Sequence, residues 1–230
     1  MILAIHQPQY MPWLGYFHKM ASADMFVLLD NVQYKKNEWQ HRNRIRNSQG
    51  WQWLSVPTTH TFGQRINEVV VMQNGTWQKK HMRSLEMCYA KARYYAEYIH
   101  LFADYYSQKH ATLDSVTVGS VKLLSGIMKI ATPIEISSAY DFPGTSTERL
   151  VNICRHFGAD TYLAGVGGRD YMDISLFEKE GIAVEFQQFA APAYKQHWSK
   201  TDEDFIANLS AIDLIFNCGP DSYSILMENQ

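Results

Sequence analysis

The opening thirty residues constrain the fold most, because they read as strand, proline-stiffened loop, helix and strand. Residues 2–5 (Ile-Leu-Ala-Ile) and 25–29 (Met-Phe-Val-Leu-Leu) are apolar at odd and even positions alike. Neither run has a wet face, which is the pattern of strands in a parallel sheet covered on both sides. Between them, Pro8 and Pro12 exclude a helix interior or a central strand, so residues 6–12 form a loop. Residues 13–23 then place Trp13, Phe17 and Met20 or Ala21 on one helical face. Parallel neighbours need such a crossover, and the resulting βαβ unit is expected to be right-handed. Ligands of these sheets bind beyond the carboxyl ends of the strands. His6 and Asp30 each follow a strand directly, so both are expected at that edge as catalytic candidates.

Residues 31–50 are polar, basic and aromatic, and read as a loop with short irregular pieces. Residues 51–56 alternate as a strand ended by Pro57, and residues 66–72 read as another. The middle is helical over 77–93, 95–107 and 112–130, with no internal proline until Thr132-Pro133 closes it. Residues 134–138 suggest a strand. Thr145-Ser-Thr-Glu148 has the form of a capping box before a helix that ends at Gly158. Strands at 161–164 and 182–187 follow, then a late helix over 205–216 with Phe205, Leu209, Ile212 and Phe216 inward. The expected fold is α/β: a three-layer Rossmann-like domain with a mainly parallel sheet. It is expected to be a single domain over residues 1–230, with a helical insertion at 75–131.

Composition narrows the function classes. An apolar fraction of 46% and a charged fraction of 19% are those of an ordinary globular chain. A net charge of −2 gives no basic field to hold nucleic acid or an anionic membrane. No apolar run reaches the roughly 18 residues of a membrane span, and the short apolar start lacks a basic flank, so a cytoplasmic protein is expected. The three cysteines, Cys88, Cys154 and Cys218, lack metal-type spacing, and the nine histidines include no H-x-x-x-H pair, so no metal is expected. No G-x-S-x-G and no cysteine beside a histidine base is present, and no nucleophile stands out.

Four constellations remain. His6, Gln7, Tyr10 and Lys19 surround the strand-to-helix loop, where backbone N–H groups favour an anion; capping by His6 and a solvated Lys19 are the alternatives. Asp30 opens a segment carrying Lys35, Lys36, Trp39, His41, Arg42 and Arg44. That mixture suits an anionic substrate with a planar or sugar part, Arg42 and Arg44 gripping phosphate or carboxylate; a solvated basic loop is the alternative. Gly165, Gly168 and Tyr171 form a glycine turn after a strand, which lets a phosphate approach the backbone or simply turns tightly. Tyr194-Lys-Gln196, Asn208-Leu-Ser210-Ala-Ile-Asp213 and Asn217-x-Gly219 form the fourth, with local hydrogen bonds by Ser210 and Asp213 and a helix stop at Gly219 as the alternative.

The stretches at residues 4–19, Trp39-x-x-Arg42-Asn-Arg44, Ala159-Asp-Thr-Tyr-Leu-Ala-Gly165 and Leu209-Ser-Ala-Ile-Asp-Leu214 resemble the WbqC-like family, over essentially the whole chain. That family is usually found with genes for bacterial surface polysaccharides. The opening order also resembles nucleotidyltransferases of the HIGH-motif type, although their paired histidines are absent: Gln9-Tyr10-Met-Pro-Trp-Leu-Gly-Tyr16 occupies the corresponding region. His6 and Asp30 at strand ends beside a basic aromatic loop suggest a transferase acting on an activated sugar or nucleotide-linked substrate, the lack of a nucleophile favours direct transfer, and the resemblance implies a role in O-antigen or surface polysaccharide synthesis. The implied partner is a small anionic or sugar substrate, with a nucleotide or acyl donor. A homodimer stays open. The alternative is a non-catalytic binding or scaffolding protein of a biosynthetic complex.

Overall fold

A computed structural model describes residues 1–73, 75–170 and 172–228. In chain order its elements begin with β1 (Ile2–His6), α1 (Leu14–Ala21) and β2 (Met25–Leu28), followed by a hairpin of β3 (Arg42–Asn47) and β4 (Gly50–Ser55). Short β5 (Thr58–Thr59) and β6 (Val70–Val71) pair before three helices, α2 (Trp77–Tyr89), α3 (Tyr95–Ser107) and α4 (Leu113–Ile127). The chain then runs through β7 (Ile134–Ile136), α5 (Ser146–His156), β8 (Thr161–Ala164), α6 (Ile174–Lys179), β9 (Ala183–Phe186), α7 (Ile212–Cys218) and α8 (Ser222–Met227).

The five strands β7-β2-β1-β8-β9, in that order, form one parallel sheet. The two-sided apolar pattern of the first strands has the expected consequence. Leu3, Ile5 and Val27 join one core with Leu150, Ile153 and Cys154 of α5 and Phe177 of α6. Ala4, Phe26 and Leu28 join another with Phe17 and Met20 of α1, the α2–α4 helices and Phe216 of α7. The sheet is therefore the middle of three layers, as a Rossmann-like fold requires.

Several local expectations differ. Residues 31–50 are not all loop, because β3 lies within them and pairs with β4 from Arg42↔Ser55 to Asn47↔Gly50. The alternation was masked by an inward face with Asn43 and Ile45 as its buried members, and the buried Asn43 amide donates to Met11 O at 2.8 Å. The late helix is only α7: Asn208 has φ 57° and the Ser210 N–H is spent on Arg44 O at 2.9 Å, so the chain before 211 is tied to the hairpin and to Gln196 rather than into a helix. Residues 66–72 divide into a 3₁₀ turn and β6. The capping box at Thr145 is not made: Thr145 forms no side-chain cap bond, and Ser146 takes φ 49°.

Candidate functional site

Strand order decides where a site can form. From central β1, the chain goes to β2 and β7 on one side and later to β8 and β9 on the other. Crossovers leaving in opposite directions open a crevice between the carboxyl ends of β1 and β8. His6 ends β1 and Gly165 follows β8.

Three neighbouring lobes with shared walls lie along the crevice. The first, about 290 Å³, is lined by His6, Gln7, Lys19, Tyr162, Gly165 and Gly168. The second, about 400 Å³, shares His6 and is walled by Gln9, Trp13, Trp39, Arg44 and Asn208. The third, about 730 Å³, shares Gln7, Leu29 and Leu150 with the first.

Lys19 is 2% exposed, and its Nζ donates to Ile5 O at 2.8 Å. Burial pulls this amine down to about 7, so near neutral pH both of its protonation states are present. His6 is held at about 3, first by loss of solvent and then by the charge of Lys19. Its Nδ1 lies 3.1 Å from Gln7 O and its ring meets Tyr16 edge-on at 4.7 Å. A carbonyl partner requires Nδ1 to carry the hydrogen, which leaves Nε2 as an acceptor. The positive charge at this floor is thus that of Lys19, and His6 is a neutral imidazole.

The second lobe owes its walls to small local decisions. Gly15 has no side chain, and a Cβ there would lie 2.2 Å from the Trp13 indole, so only glycine lets Trp13 fold back over the helix start. Trp13 also meets Phe189 at 5.5 Å. On the hairpin, the Arg44 guanidinium sits over Trp39 at 5.5 Å and Trp51 at 5.1 Å, and Arg42 over Trp53 at 4.3 Å. Gln9 is buried with its Oε1 unpartnered among the described residues. Two indoles, an idle buried amide and a guanidinium suit a sugar ring carrying an acidic group.

Of the residues singled out from sequence, His6, Gln7, Lys19, Gly165 and Gly168 meet in the first lobe, and His6, Trp39 and Arg44 in the second. Others lie elsewhere. Asp30 is fully buried and accepts from Ser138 N at 2.9 Å and Ser138 Oγ at 2.5 Å, tying β2 to the turn after β7. Tyr10 is fully buried, its hydroxyl 2.8 Å from His81 Nδ1 and 2.5 Å from Tyr106 Oη. Arg42 donates to Asn37 O and faces Trp53 outside the lobes. Asp213 is buried among donors from Tyr89, Tyr194 and Gln196, and burial raises its carboxyl to about 6. Ser210 Oγ accepts from Ile212 N. Tyr171 lies outside the described residues. Asn208, from the fourth constellation, lines the second lobe, while Gln9, Trp13, Arg65 and Arg149 line the crevice without having been picked as site residues; Gln9 and Trp13 lie within the motif at residues 4–19, but Arg65 and Arg149 lie far from any recognised motif.

The fold and crevice define a parallel α/β protein of Rossmann-like type with a polar crevice at its switch point. The chain belongs to the WbqC-like protein family, whose description matches residues 7–225. It is 35% identical over 225 residues, 96% of this chain and 95% of the other, to uncharacterized protein Rv1507c of Mycobacterium tuberculosis (strain ATCC 25618 / H37Rv). No solved structure matches the chain. Among the described residues no helix is long and apolar enough to cross a membrane, and no group of three or more His, Cys, Asp or Glu side chains is placed to hold a metal ion.

Proposed function

We propose that the protein is a cytoplasmic transferase. It would move a group from an activated sugar or nucleotide-linked donor directly onto an acceptor in surface polysaccharide synthesis. The observation that carries this reading is the placement of a buried, readily deprotonated Lys19 beside His6, where an aromatic, sugar-sized lobe joins the sheet edge.

In the step we envisage, the acceptor oxygen or nitrogen bonds to the transferred group as that group's bond to the donor phosphate breaks. The electron pair leaves with the phosphate. The acceptor's proton passes to neutral Lys19 Nζ, and the ammonium so formed faces the departing anion. His6 Nε2 accepts a hydrogen bond from a neighbouring hydroxyl or second N–H of the acceptor and orients it. Turnover of nucleotide sugars, followed by release of nucleotide, tests the reading. Lys19→Met and His6→Gln should each lose turnover while circular dichroism shows both variants folded. Undiminished turnover in both variants removes this mechanism.

A scaffolding role has one observation in its favour, the exposure of Trp51 (42%) and Trp53 (37%) on the hairpin. It requires that Trp51→Ser/Trp53→Ser abolish co-purification with a biosynthetic partner while His6→Gln leaves it intact.

A further inference from the structure

The third lobe is built from residues that the proposed transfer step leaves idle. Lys35, Arg65 and Arg149 line it, and no aspartate or glutamate does. Among the described residues none of these three side chains forms an ion pair. Three cations around a cavity without a protein counter-ion point to a ligand that brings several negative charges of its own.

Local structure supports the same ligand. Arg149 Nε donates to Gly144 O at 3.0 Å, which steadies the guanidinium and leaves its two terminal nitrogens for another partner. Gly144 at φ 84° and Ser146 at φ 49° turn the chain so that Thr145 and Ser146, at the start of the 11-residue α5, face the lobe. A serine in the left-handed region is strained, and such strain concentrates at ligand sites. The helix start adds free N–H groups to the three cations. Asn31 Oδ1 is occupied by Ser137 Oγ at 3.0 Å, so its amide N–H₂ is the end left over. At about 730 Å³ the lobe can take a nucleotide, and its Asn31, Gln33, Thr145 and Ser146 suit a ribose and base better than a hydrocarbon chain.

We propose that this lobe binds a nucleoside diphosphate group, its two phosphates held by Lys35, Arg65 and Arg149 at the start of α5. The inference deepens the transferase reading and rests on it: the lobe adjoins Lys19 through Gln7 and Leu150, so the bond to be broken would lie at the boundary between the two.

The test is calorimetric titration of the full chain with inorganic diphosphate, UDP, ADP and farnesyl diphosphate. Inorganic diphosphate and at least one nucleoside diphosphate should bind. Arg65→Ala/Arg149→Ala should weaken both by roughly tenfold or more, the loss of charge-assisted hydrogen bonds. Arg149→Lys, which keeps the charge but not the fork, should weaken them by less. Circular dichroism and melting of each variant separate misfolding from lost contacts. A folded double variant that binds diphosphate like wild type overturns the assignment, as does a wild type that takes farnesyl diphosphate more tightly than UDP and ADP. Loss of diphosphate binding in Lys19→Met but not in the arginine variants also overturns it, while leaving the transferase reading standing. Conversely, arginine-dependent diphosphate binding without turnover of any nucleotide-linked donor supports this site and removes the transferase reading.

Discussion

Lys19 Nζ donates to the backbone oxygen of Ile5 at 2.8 Å, and this contact fixes a buried amine at the carboxyl end of the central strand. An amine held there at about 7 is protonated in the unfolded chain up to its ordinary 10.5. Between those values the unfolded state binds more protons, so folding stability rises with pH across that window. The full effect is on the order of 5 kcal/mol. Lys19→Met should abolish this slope, so wild type and variant should differ most at pH 7 and least near pH 10 in urea titrations. Turnover by wild type should rise with pH through about 7.

His6 should stay neutral through the physiological range. In the unfolded chain its ring takes a proton near 6.5, but in the fold only near 3, so stability falls as pH drops below 6.5 and the loss is complete near 3. Nitrogen chemical shifts of the imidazole should show Nδ1 protonated and Nε2 bare from pH 8 to pH 5. An imidazolium spectrum at pH 6 would refute the tautomer assigned to it.

Arg44 is predicted to matter for substrate affinity more than for folding. Its guanidinium rests on two indoles at a partly exposed site, where such contacts contribute about 0.5–1 kcal/mol. Arg44→Ala should lower stability by no more than that, while KM for an acidic sugar substrate rises roughly tenfold, the value of a lost charged hydrogen bond. Equal effects on neutral and acidic sugars would separate Arg44 from charge recognition.

Asp30 is expected to behave as a structural tie. Its carboxylate accepts from the backbone and hydroxyl of Ser138 in a fully buried position. Asp30→Ala strands those donors and should cost about 1–3 kcal/mol. Ser138→Ala should cost less, and the double variant should show non-additivity. Turnover per folded molecule should be unchanged, since no lobe of the crevice includes Asp30.

Much of this fold was legible in two short apolar runs, because a strand buried on both faces admits few arrangements. That logic reached His6 and Lys19, which lie within one βαβ unit. It did not reach Arg65 or Arg149, which become neighbours only through the third lobe. Asp30 shows why a strand end alone does not place a side chain: the residue after it can turn into the crevice or along the sheet, and the Ser138 N–H that holds Asp30 comes from the turn after β7, more than a hundred residues down the chain. Arg42 and Arg44 lie two apart on β3, yet only Arg44 reaches a lobe, and Trp51, Trp53 and Asn208 set that difference by where they stack and turn.

The central position of β1 also imposes a timetable on synthesis. Its β2 partner follows within a few tens of residues, but the other edge stays unpaired until Thr161–Ala164 has been made. At about 5–20 residues per second, that interval is roughly 8–30 s. Throughout it, Leu3 and Ile5 sit on a strand with an open edge, the kind of surface that invites pairing with another chain. A nascent chain stalled before residue 161 would therefore be sticky and without a completed crevice, and aggregation should drop once β8 is included in the translated length.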